Sequence, residues 1–524
     1  MNFENLPESW KVMRLGRVAE IVLGKTPHRK RKDYWDNGTI PWVKIQDMTN
    51  ATIKDTSEKI TNKAFEEVFH NTFIPKGTLL MSFKLTIGKT AFLGIDAVHN
   101  EAIASIFPNV NLVDKKYLFY LLPSLNYSEL TGGAAKGETL NKEKIKQLPI
   151  PLPPLPEQKR IVEILSLAED LIKKQKEAIA LIDKILMAKF LEMLGDPATN
   201  PKGWKVKKLG EIAEVKGGGT PSRKKPEFFD GNIPWATPTD LSAIPSIFLE
   251  DTKEHITEEA IRKSSTSLMP PKTVLLSSRA TIGLVAISKI PICFNQGITG
   301  FYCDENVLLP EYLFFVFKKM KDKLPDLSGS TTFPEIKRTT LRNFQIPLPP
   351  IELQKEFAQI VEEFEKKREE MQRTLEILES LFKLLQKKAF TGELTAEWRE
   401  QNNVEWEIPQ ITERQAVLLA SIYYHQNMVQ KPAMVTVAMK SAFLLQQEAG
   451  LNLGYDFIPY KYGSFSKEVY EDIENLEKNL LVKRVKPKKD IEMTEVRLIE
   501  EFKDRTEKIT DSLPEDIKEI VKHT

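Results

Sequence analysis

The chain has 524 residues and a formal net charge of +2, a balance that favours neither acidic nor basic partners. This length excludes a single hydrophobic core, and we expect about three domains. No apolar run reaches roughly 18 residues and no secretory signal is present, which argues against a membrane span or export and favours a cytoplasmic protein. The two cysteines, Cys293 and Cys303, leave a disulfide open beside the favoured alternative of two buried thiols.

Charge is distributed unevenly along the chain. Residues 1–150 carry 21 basic against 16 acidic side chains, a net +5. Residues 405–524 carry 17 basic against 21 acidic side chains, a net −4. The two ends therefore have different electrostatic roles.

The first element in chain order occurs twice. WKVMRLGRVAEIVLGKTP at residues 10–27 is matched by WKVKKLGEIAEVKGGGTP at residues 204–221. Three later pairs keep the same order at nearly the same offset: DNGTIPWVKIQDM with DGNIPWATPTDL, LLMSFKLTIGKTAF with VLLSSRATIGLVAI, and HNEAIASIF with FNQGITGFY. This is a tandem duplication of a whole domain, and we call the copies the first and second repeat.

Each repeat reads as a mixed α+β domain. In the first repeat, short β-type runs at residues 40–45, 78–83 and 102–107 are separated by Gly, Pro and Asn turns. Helices are predicted near residues 62–69 and 116–122.

A proline-rich strap ends each repeat and leads into a long helix. The straps lie in LPIPLPPLPEQKRIVEIL (148–165) and FQIPLPPIELQKEFAQIV (344–361), and proline predicts an extended, polyproline-like backbone there. Uninterrupted helical patterns then run from Glu157 to Leu194 and from Glu352 to Phe390. Each has a one-sided apolar stripe, which predicts that the helices pack on each other as an antiparallel coiled coil. The alternative is that each helix lies on its own domain.

Basic loops are the candidate nucleic-acid contacts. A cluster of basic residues beside aromatic residues follows Thr-Pro at the same place in both repeats, which favours phosphate contact over a solvated loop. A later turn carries further basic residues. The candidate residues are Thr26, Arg29, Lys30, Arg31, Lys32, Ser222, Arg223, Lys224 and Lys225 in the loops, Lys84, Lys89 and Arg279 in the turns, and Lys136 in the Gly-rich segment TGGAAKGETL.

No catalytic constellation is found in the sequence. LGKT and IGKT lack the upstream glycine of a phosphate-binding loop, and the tetrapeptide used by amino-methyltransferases is absent. The histidines have no metal-ligand spacing. A nuclease would rest only on Glu335 and Lys337, and we reject it. The chain is predicted to be a non-enzymatic reader or scaffold.

These motifs together resemble the specificity subunit of type I restriction-modification systems. The resemblance covers roughly residues 1–395 and departs from the family pattern at two places, Leu353 in the second strap and Ser9 before the first tryptophan. The motifs that carry it are the two repeat openings, Ile40-Pro41-Trp42 and Ile233-Pro234-Trp235, Ile87-Gly88 and Ile282-Gly283, the two straps, and the helix exits Gly195-Asp196-Pro197 and Thr391-Gly392-Glu393-Leu394.

The resemblance implies a function for each part. Two target recognition domains would each read half of a split double-stranded DNA sequence. The helix pair would set the unread gap and dock methyltransferase subunits, with two as the expected number, and restriction or translocase subunits would join. The chain itself would hold no cofactor, since S-adenosylmethionine, ATP and Mg²⁺ belong to the partner subunits in this family.

The tail has a different character from the repeats. YDFIPYKYGSFSKEVYEDIENL resembles Panacea-type antitoxin-like proteins and predicts a small, mainly helical domain with winged-helix character. The alternative function is a regulatory scaffold whose tail binds a protein partner. The expected domains are recognition domains at 1–155 and 196–351, spacer helices at 156–195 and 352–395, a linker at 396–410 and the tail domain at 411–524.

Overall fold

The computed structural model describes residues 6–49, 52–127, 140–328, 334–406, 409–460, 463–485 and 494–524. The chain divides into two compact units. The first unit contains residues 1–168 and 381–524, and the second contains residues 169–380. Within the described ranges, no helix is both long and apolar enough to cross a membrane.

The two repeats contain matching sheets over their described residues. The larger sheet of each has five strands, in the spatial order Ala19–Leu23, Ile103–Pro108, Leu79–Ser82, Thr90–Leu93 and Thr52–Ile53 in the first repeat, and Ala213–Gly217, Ile298–Cys303, Val274–Ser277, Val285–Ser288 and Phe248–Leu249 in the second. The smaller sheet has the order Glu58–Ile60, Ile40–Val43 and Val98–His99 in the first, and His255–Ile256, Ile233–Ala236 and Cys293–Phe294 in the second. The duplication is therefore confirmed as two copies of one fold.

Short helices cover these sheets. They are Leu15–Val18, Asn62–Phe69, Lys115–Leu121 and Lys142–Lys146 in the first repeat, and Leu209–Ile212, Pro238–Ala243, Glu258–Arg262, Pro310–Met320 and Arg338–Arg342 in the second. The predicted strands and helices of the first repeat are confirmed to within two residues at each end. Thr61 caps its helix, because its Oγ1 accepts a hydrogen bond from Ala64 N at 3.3 Å.

The proline strap is a paired strand rather than a polyproline-like segment. Pro149–Leu152 pairs antiparallel with Lys11–Arg14, and Gln345–Leu348 pairs with Lys205–Lys208 in the same way. Over the described residues each of these ladders has only two strands. Proline is tolerated there because a strand with one neighbour needs backbone donors on one edge only.

The long helices begin earlier than the sequence predicts. They span Leu155–Leu194 and Ile351–Ala389, whereas the expected starts are Glu157 and Glu352. Proline fits the first helical turn, where backbone N–H groups have no intrahelical acceptor. Pro156 therefore does not delay the first helix.

Within the second unit, contacts between the long helices run in opposite directions. Gln175 Nε2 donates to Met371 O at 2.8 Å. Farther along the first helix, the Phe190 ring lies 5.6 Å from that of Phe357, an earlier residue of the second helix. The helices are therefore antiparallel here, and the alternative of independent surface helices is wrong for this unit.

Only part of each predicted apolar stripe is buried. Ile161, Leu165, Ile182 and Leu186 on the first helix are buried, as are Phe357, Val361 and Leu375 on the second. Other positions of the predicted stripes stay exposed, namely Leu167 and Leu381 in the first unit and Leu171 and Ile185 in the second. Three apolar residues outside the predicted stripes, Leu181, Ile377 and Leu384, are exposed as well. Each long helix therefore carries more apolar surface than its neighbouring elements bury.

The tail folds around its own core. Its described helices are Glu413–Val429, Val435–Gln447, Lys467–Lys478, Lys503–Asp511 and Glu515–His523, and its described strands are Ala433–Met434, Ile458–Tyr460, Gly463–Phe465, Val482–Val485 and Glu495–Leu498. A further helix, Ala396–Asn402, lies in the segment that the sequence predicts to be a linker, 396–410. Inside this core the buried carboxylate of Asp472 accepts hydrogen bonds from Arg414, Gln415 and Tyr455. This satisfied network gives the tail a specific interior.

The tail also packs on the first repeat within the first unit. Leu480, Ile499 and Phe502 are buried in the same apolar cluster as Trp10 and Met13. The Phe502 ring also contacts Trp406, whose Nε1 donates to Ser9 O at 2.9 Å. The tail is therefore integrated with the first repeat rather than attached as a free appendage.

The two cysteines are free thiols, and both are buried. Burial raises the pKa of Cys293 to about 11 and that of Cys303 further still. Neither thiol is a reactive thiolate at neutral pH.

Candidate nucleic-acid interface

In each repeat, the basic loop and the later turn are both hydrogen-bonded to one segment, which we call the connecting segment. It contains residues 99–102 in the first repeat and 294–297 in the second. In the first repeat, Lys25 N donates to His99 O and Phe83 N donates to Ala102 O, both at 2.9 Å. In the second, Gly219 N donates to Phe294 O at 2.9 Å and Ser278 N donates to Gly297 O at 2.8 Å. The structure thus brings the two sets of candidate residues to one side of each repeat.

A glycine at the start of each basic loop lets the loop backbone lie directly against the connecting segment. A Cβ added at Gly24 would lie 2.2 Å from the carbonyl oxygens of His99 and Asn100, and one added at Gly218 would lie 1.9 Å from Asn295 O. No side chain fits at these distances. The loop can lie against the connecting segment only with glycine at this position.

The first arginine of each loop forms what we call the arginine clamp. Arg29 is ion-paired with Glu58, and its guanidinium lies 4.0 Å from the Trp35 ring centroid and 4.6 Å from that of Trp42. These contacts occupy both its charge and its planar face. Arg29 therefore fixes the loop, and its guanidinium is already engaged within the protein.

The second repeat builds the same clamp. Arg223 pairs with Glu254 through both guanidinium nitrogens and lies 4.3 Å from the Phe229 ring and 5.3 Å from that of Trp235. The hydrogen bond from Arg223 lowers the pKa of Glu254, and the same bond raises the pKa of Arg223. Both groups remain charged at neutral pH.

The third basic position also packs on an aromatic ring. Arg31 lies 3.7 Å from the Tyr34 ring and pairs with Asp33 at 2.6 Å and with Glu67 at 3.1 Å. The hydrogen bond from Arg31 holds the pKa of Asp33 well below its usual range. Its counterpart Lys225 lies 5.1 Å from the Phe228 ring.

The loop positions next to these residues face solvent. Lys30, Lys32 and Lys224 are exposed, as is Ser222, and none of the three lysines is ion-paired with a described residue. Exposed, unpaired ammonium groups on a fixed loop are suited to phosphate contact. Of the predicted loop residues, the structure therefore favours these lysines over the arginines.

Thr26 is placed differently from its counterpart in the second repeat. Its Oγ1 is buried and has no hydrogen-bond partner among the described residues. The equivalent Thr220 donates to Gln296 Oε1, and Glu101 stands where Gln296 does. Thr26 acts as part of the loop interior.

The basic residues of the turns form fewer or longer ion pairs than the arginines of the two clamps. Lys84 lies 5.7 Å from the Phe83 ring and forms no ion pair with a described residue, whereas Arg279 Nε lies 4.0 Å from Glu335 Oε2. Lys89 Nζ donates to Ile45 O at 3.4 Å. Lys136 lies outside the described residues. Glu335 is thus the partner of a basic turn, which gives no support to a nuclease site.

Sequence reasoning missed the acidic half of the clamp. Glu58 and Glu254 occur in the matching segments DTSEKIT and DTKEHIT, so the internal repeat contained the signal. Among the described residues, no cluster of three His, Cys, Asp or Glu side chains could hold a metal ion.

Both repeats are similar to known proteins. Residues 7–181 and 201–380 match the family model described as type I restriction modification DNA specificity domain. A type I restriction enzyme MjaIX specificity subunit from Methanocaldococcus jannaschii is 42% identical over 183 residues, which cover 34% of this chain and 42% of that protein. A putative MjaX specificity subunit from the same organism is 26% identical over 380 residues, covering 67% of this chain and 86% of that protein.

The crystal structure of the type I restriction-modification system S subunit from M. genitalium matches 74% of this chain and 97% of its own, with 14% identity and a TM-score of 0.43. At these values the likeness adds nothing to the family match.

Proposed function

Since the chain belongs to the family of type I restriction modification DNA specificity domains, we propose that it is the DNA-recognition subunit of a type I restriction-modification complex. In this proposal each repeat reads one half of a bipartite double-stranded target, and the chain itself is not an enzyme. S-adenosylmethionine, ATP and Mg²⁺ belong to its partner subunits, and the complex acts on DNA in the cytoplasm.

One observation carries this proposal. Both repeats use an arginine clamp to fix a loop that presents exposed, unpaired lysines beside a second basic turn. A structural loop alone would not need the lysines, whereas a DNA reader needs phosphate contacts to orient the base-reading side chains. The domain boundaries, with recognition domains at 1–155 and 196–351 and spacer helices at 156–195 and 352–395, follow the same assignment.

A footprint tests the DNA-reading role. The purified subunit with its methyltransferase subunits should protect two half-sites separated by a fixed number of unprotected base pairs. Raising the salt concentration should weaken this binding, because lysine–phosphate contacts release counterions. A single continuous footprint, or binding without sequence preference, would contradict the bipartite model.

The long helices are the proposed spacer, arranged as an antiparallel coiled coil, and the docking surface for two methyltransferase subunits. The apolar side chains that both helices leave exposed support this role, since such positions mark protein contacts when they recur along one element. Substituting Leu181 and Ile185 with serine should reduce co-purification of the methyltransferase subunit. Lys184→Ser, which alters an exposed residue between them, is the matched control.

For the tail we propose a protein-binding role with antitoxin-like, winged-helix character. Three helices, Glu413–Val429, Val435–Gln447 and Lys467–Lys478, support that character together with a three-stranded sheet in the spatial order Ala433–Met434, Glu495–Leu498 and Val482–Val485. A two-stranded hairpin, Ile458–Tyr460 with Gly463–Phe465, is inserted between the second and third helix. The helix Lys467–Lys478 contains Glu468, Glu471 and Glu474, which disfavour contact with a DNA phosphate backbone. Deleting residues 411–524 should abolish capture of such a partner, and capture that persists would contradict the role.

A further inference from the structure

Leucine stands at the tip of the basic turn in the first repeat, in a conformation that leucine disfavours. Leu85 has φ +63° and is 86% exposed, the largest exposure among the bulky apolar side chains of the described chain. A left-handed backbone costs a non-glycine residue free energy, and an exposed leucine recovers none by burial. Folding therefore gives no reason for leucine here.

The turn that presents Leu85 is fixed by hydrogen bonds. Ser82 Oγ donates to Thr86 O and accepts from Lys89 N at 3.1 Å, and Gly88 N donates to Ser82 O at 2.9 Å. A turn closed at three points holds its tip rigidly. The exposure of Leu85 is therefore a property of a defined conformation.

The second repeat has the same turn with a different tip. Ser277 Oγ donates to Thr281 O and accepts from Leu284 N at 2.8 Å, and Gly283 N donates to Ser277 O at 3.0 Å. The tip residue Ala280 has φ +61°. Both repeats thus keep the left-handed tip and its closure while the side chain changes from leucine to alanine.

Strained, exposed residues on a rigid element are typical of binding sites. Lys84 precedes Leu85, and the basic loop is held to the same connecting segment, so the leucine is presented on the side assigned to DNA. Apolar side chains recognise DNA through the thymine methyl group or by entering a base step. We propose that Leu85 makes an apolar base contact that determines one position of the half-site read by the first repeat.

This inference rests on the proposed function. In the second repeat, Ala280 is too short for such a contact, and Arg279 supplies the reading side chain of the turn. The two repeats would then read their half-sites with different chemistry from one scaffold.

The test compares Leu85→Gly with the wild-type subunit in its methyltransferase complex. Glycine removes both the side chain and the backbone strain, so the melting temperature should stay equal or rise. Affinity for the target should fall roughly tenfold, by the loss of one buried leucine contact. The methylation motif should relax at one position in one half only.

Two variants serve as controls. Leu85→Met keeps an apolar side chain and should retain the motif, and Val110→Ala alters another highly exposed residue of the first repeat and should change nothing. An unchanged motif in Leu85→Gly, or a uniform loss of methylation at all sequences, would overturn the inference. Failure of the proposed function is distinguishable, because the wild-type chain would then give no split motif.

Modified oligonucleotides distinguish the two kinds of base contact. If the thymine methyl is read, replacing that thymine with uracil weakens wild-type binding but not Leu85→Gly binding. If a base step is opened, 2-aminopurine at that step brightens with the wild type and not with the variant. The absence of both responses in the wild type would contradict an apolar base contact.

Discussion

The two repeats differ in one residue at the start of the long helix that follows the strap. This residue is a glutamate in the first repeat and a leucine in the second. In the first repeat the buried carboxylate of Glu157 accepts hydrogen bonds from Trp10 Nε1 at 3.0 Å, Thr395 Oγ1 at 2.6 Å and Arg399 Nε at 2.9 Å. Chain from beyond the second long helix thus completes the first repeat with a charged network.

The second repeat closes with an apolar residue instead. Leu353 stands where Glu157 does and packs against the apolar cluster, and Trp204 Nε1 donates to the Leu194 carbonyl at 2.8 Å. The tryptophan is satisfied in both repeats, but by a carboxylate in one and a backbone oxygen in the other. One scaffold therefore accepts either solution when all polar groups have partners.

A second buried difference is also compensated. His99 Nε2 contacts Ser105 Oγ at 2.6 Å in the first repeat, and the equivalent residues in the second are Phe294 and Gly300. A Cβ on Gly300 would lie 2.6 Å from the Phe294 ring, so the larger ring requires the glycine. Buried positions changed in matched sets, whereas the exposed turn tips changed without a compensating partner among the residues that the structure describes. Divergence at the tips is therefore available for DNA recognition.

The largest expected effect comes from breaking the buried hydrogen-bond network around Glu157. Arg399→Met leaves Glu157 buried without its cation and should lower the free energy of unfolding of the first unit by about 3 to 5 kcal/mol. The double variant Glu157→Leu/Arg399→Met also removes the buried carboxylate. It should recover about half of this loss, because Trp10 Nε1 and Thr395 Oγ1 lose their acceptor. Hydrogen exchange of the Lys11–Arg14 amides reports the local stability. A double variant no more stable than the single one would show that the closures are not interchangeable.

The contact between tail and first repeat gives the next effect. Phe502→Ala removes a buried ring and should destabilise the first repeat by about 3 kcal/mol, leaving the second repeat unchanged. Ile473→Ala, inside the tail's own core, is the matched control. Hydrogen exchange should rise in the first repeat with Phe502→Ala only. Equal responses to both variants would mean that the tail stabilises the first repeat without this contact.

The histidine predicts a pH dependence confined to the first repeat. Burial lowers the pKa of His99 to about 4, so the unfolded chain binds a proton between pH 6.5 and pH 4 that the folded chain does not. Stability should therefore fall as the pH falls, by about 2 kcal/mol between pH 7 and pH 5. Urea unfolding at both values measures this.

The matched control for this prediction is His99→Phe/Ser105→Gly, which copies the second repeat and should remove that pH dependence. His99→Phe alone should be destabilised at every pH, since the ring meets the Ser105 Cβ. An unchanged pH dependence in the double variant would assign the effect to other groups.

The exposed lysines should give the smallest effect, and we expect that effect on DNA binding rather than on stability. Lys30→Ala/Lys224→Ala should reduce the salt slope of DNA binding by about 1 for each lysine, with the recognised motif unchanged. Lys431→Ala/Lys440→Ala, which removes two exposed lysines of the tail, is the charge-matched control. An altered motif would mean that these lysines read bases, and an unaltered slope would remove them from the interface.

Much of the fold can be predicted from the sequence, because each local pattern occurs in both repeats and the second occurrence supports the first. The strands and helices of the first repeat and the helix pair were predictable from periodicity and turn residues. The pairing of the proline strap was not, since its partner strand Lys11–Arg14 lies about 140 residues away along the chain. The sequence also does not predict which residues of each apolar stripe stay exposed. Periodicity identifies the stripe but not how much of it a neighbouring element covers.

The sequence predicts where the candidate site lies, and it says less about what each of its residues does. Composition marks Arg29, Lys30 and Arg31 alike, yet the arginines pair with Glu58, Asp33 and Glu67 while Lys30 faces solvent. These partners depend on tertiary contacts. Leu85 had no sequence signal, since its importance comes from backbone conformation and exposure.

The most direct test of the central claim is genome-wide methylation mapping in cells that express this chain with its methyltransferase subunit. A matched strain carries the chain with residues 1–155 exchanged for the first domain of another specificity subunit. We predict a split motif in which this exchange alters one half and leaves the other half and the gap unchanged. No methylated motif, where the methyltransferase is active with a different specificity subunit, would contradict the account.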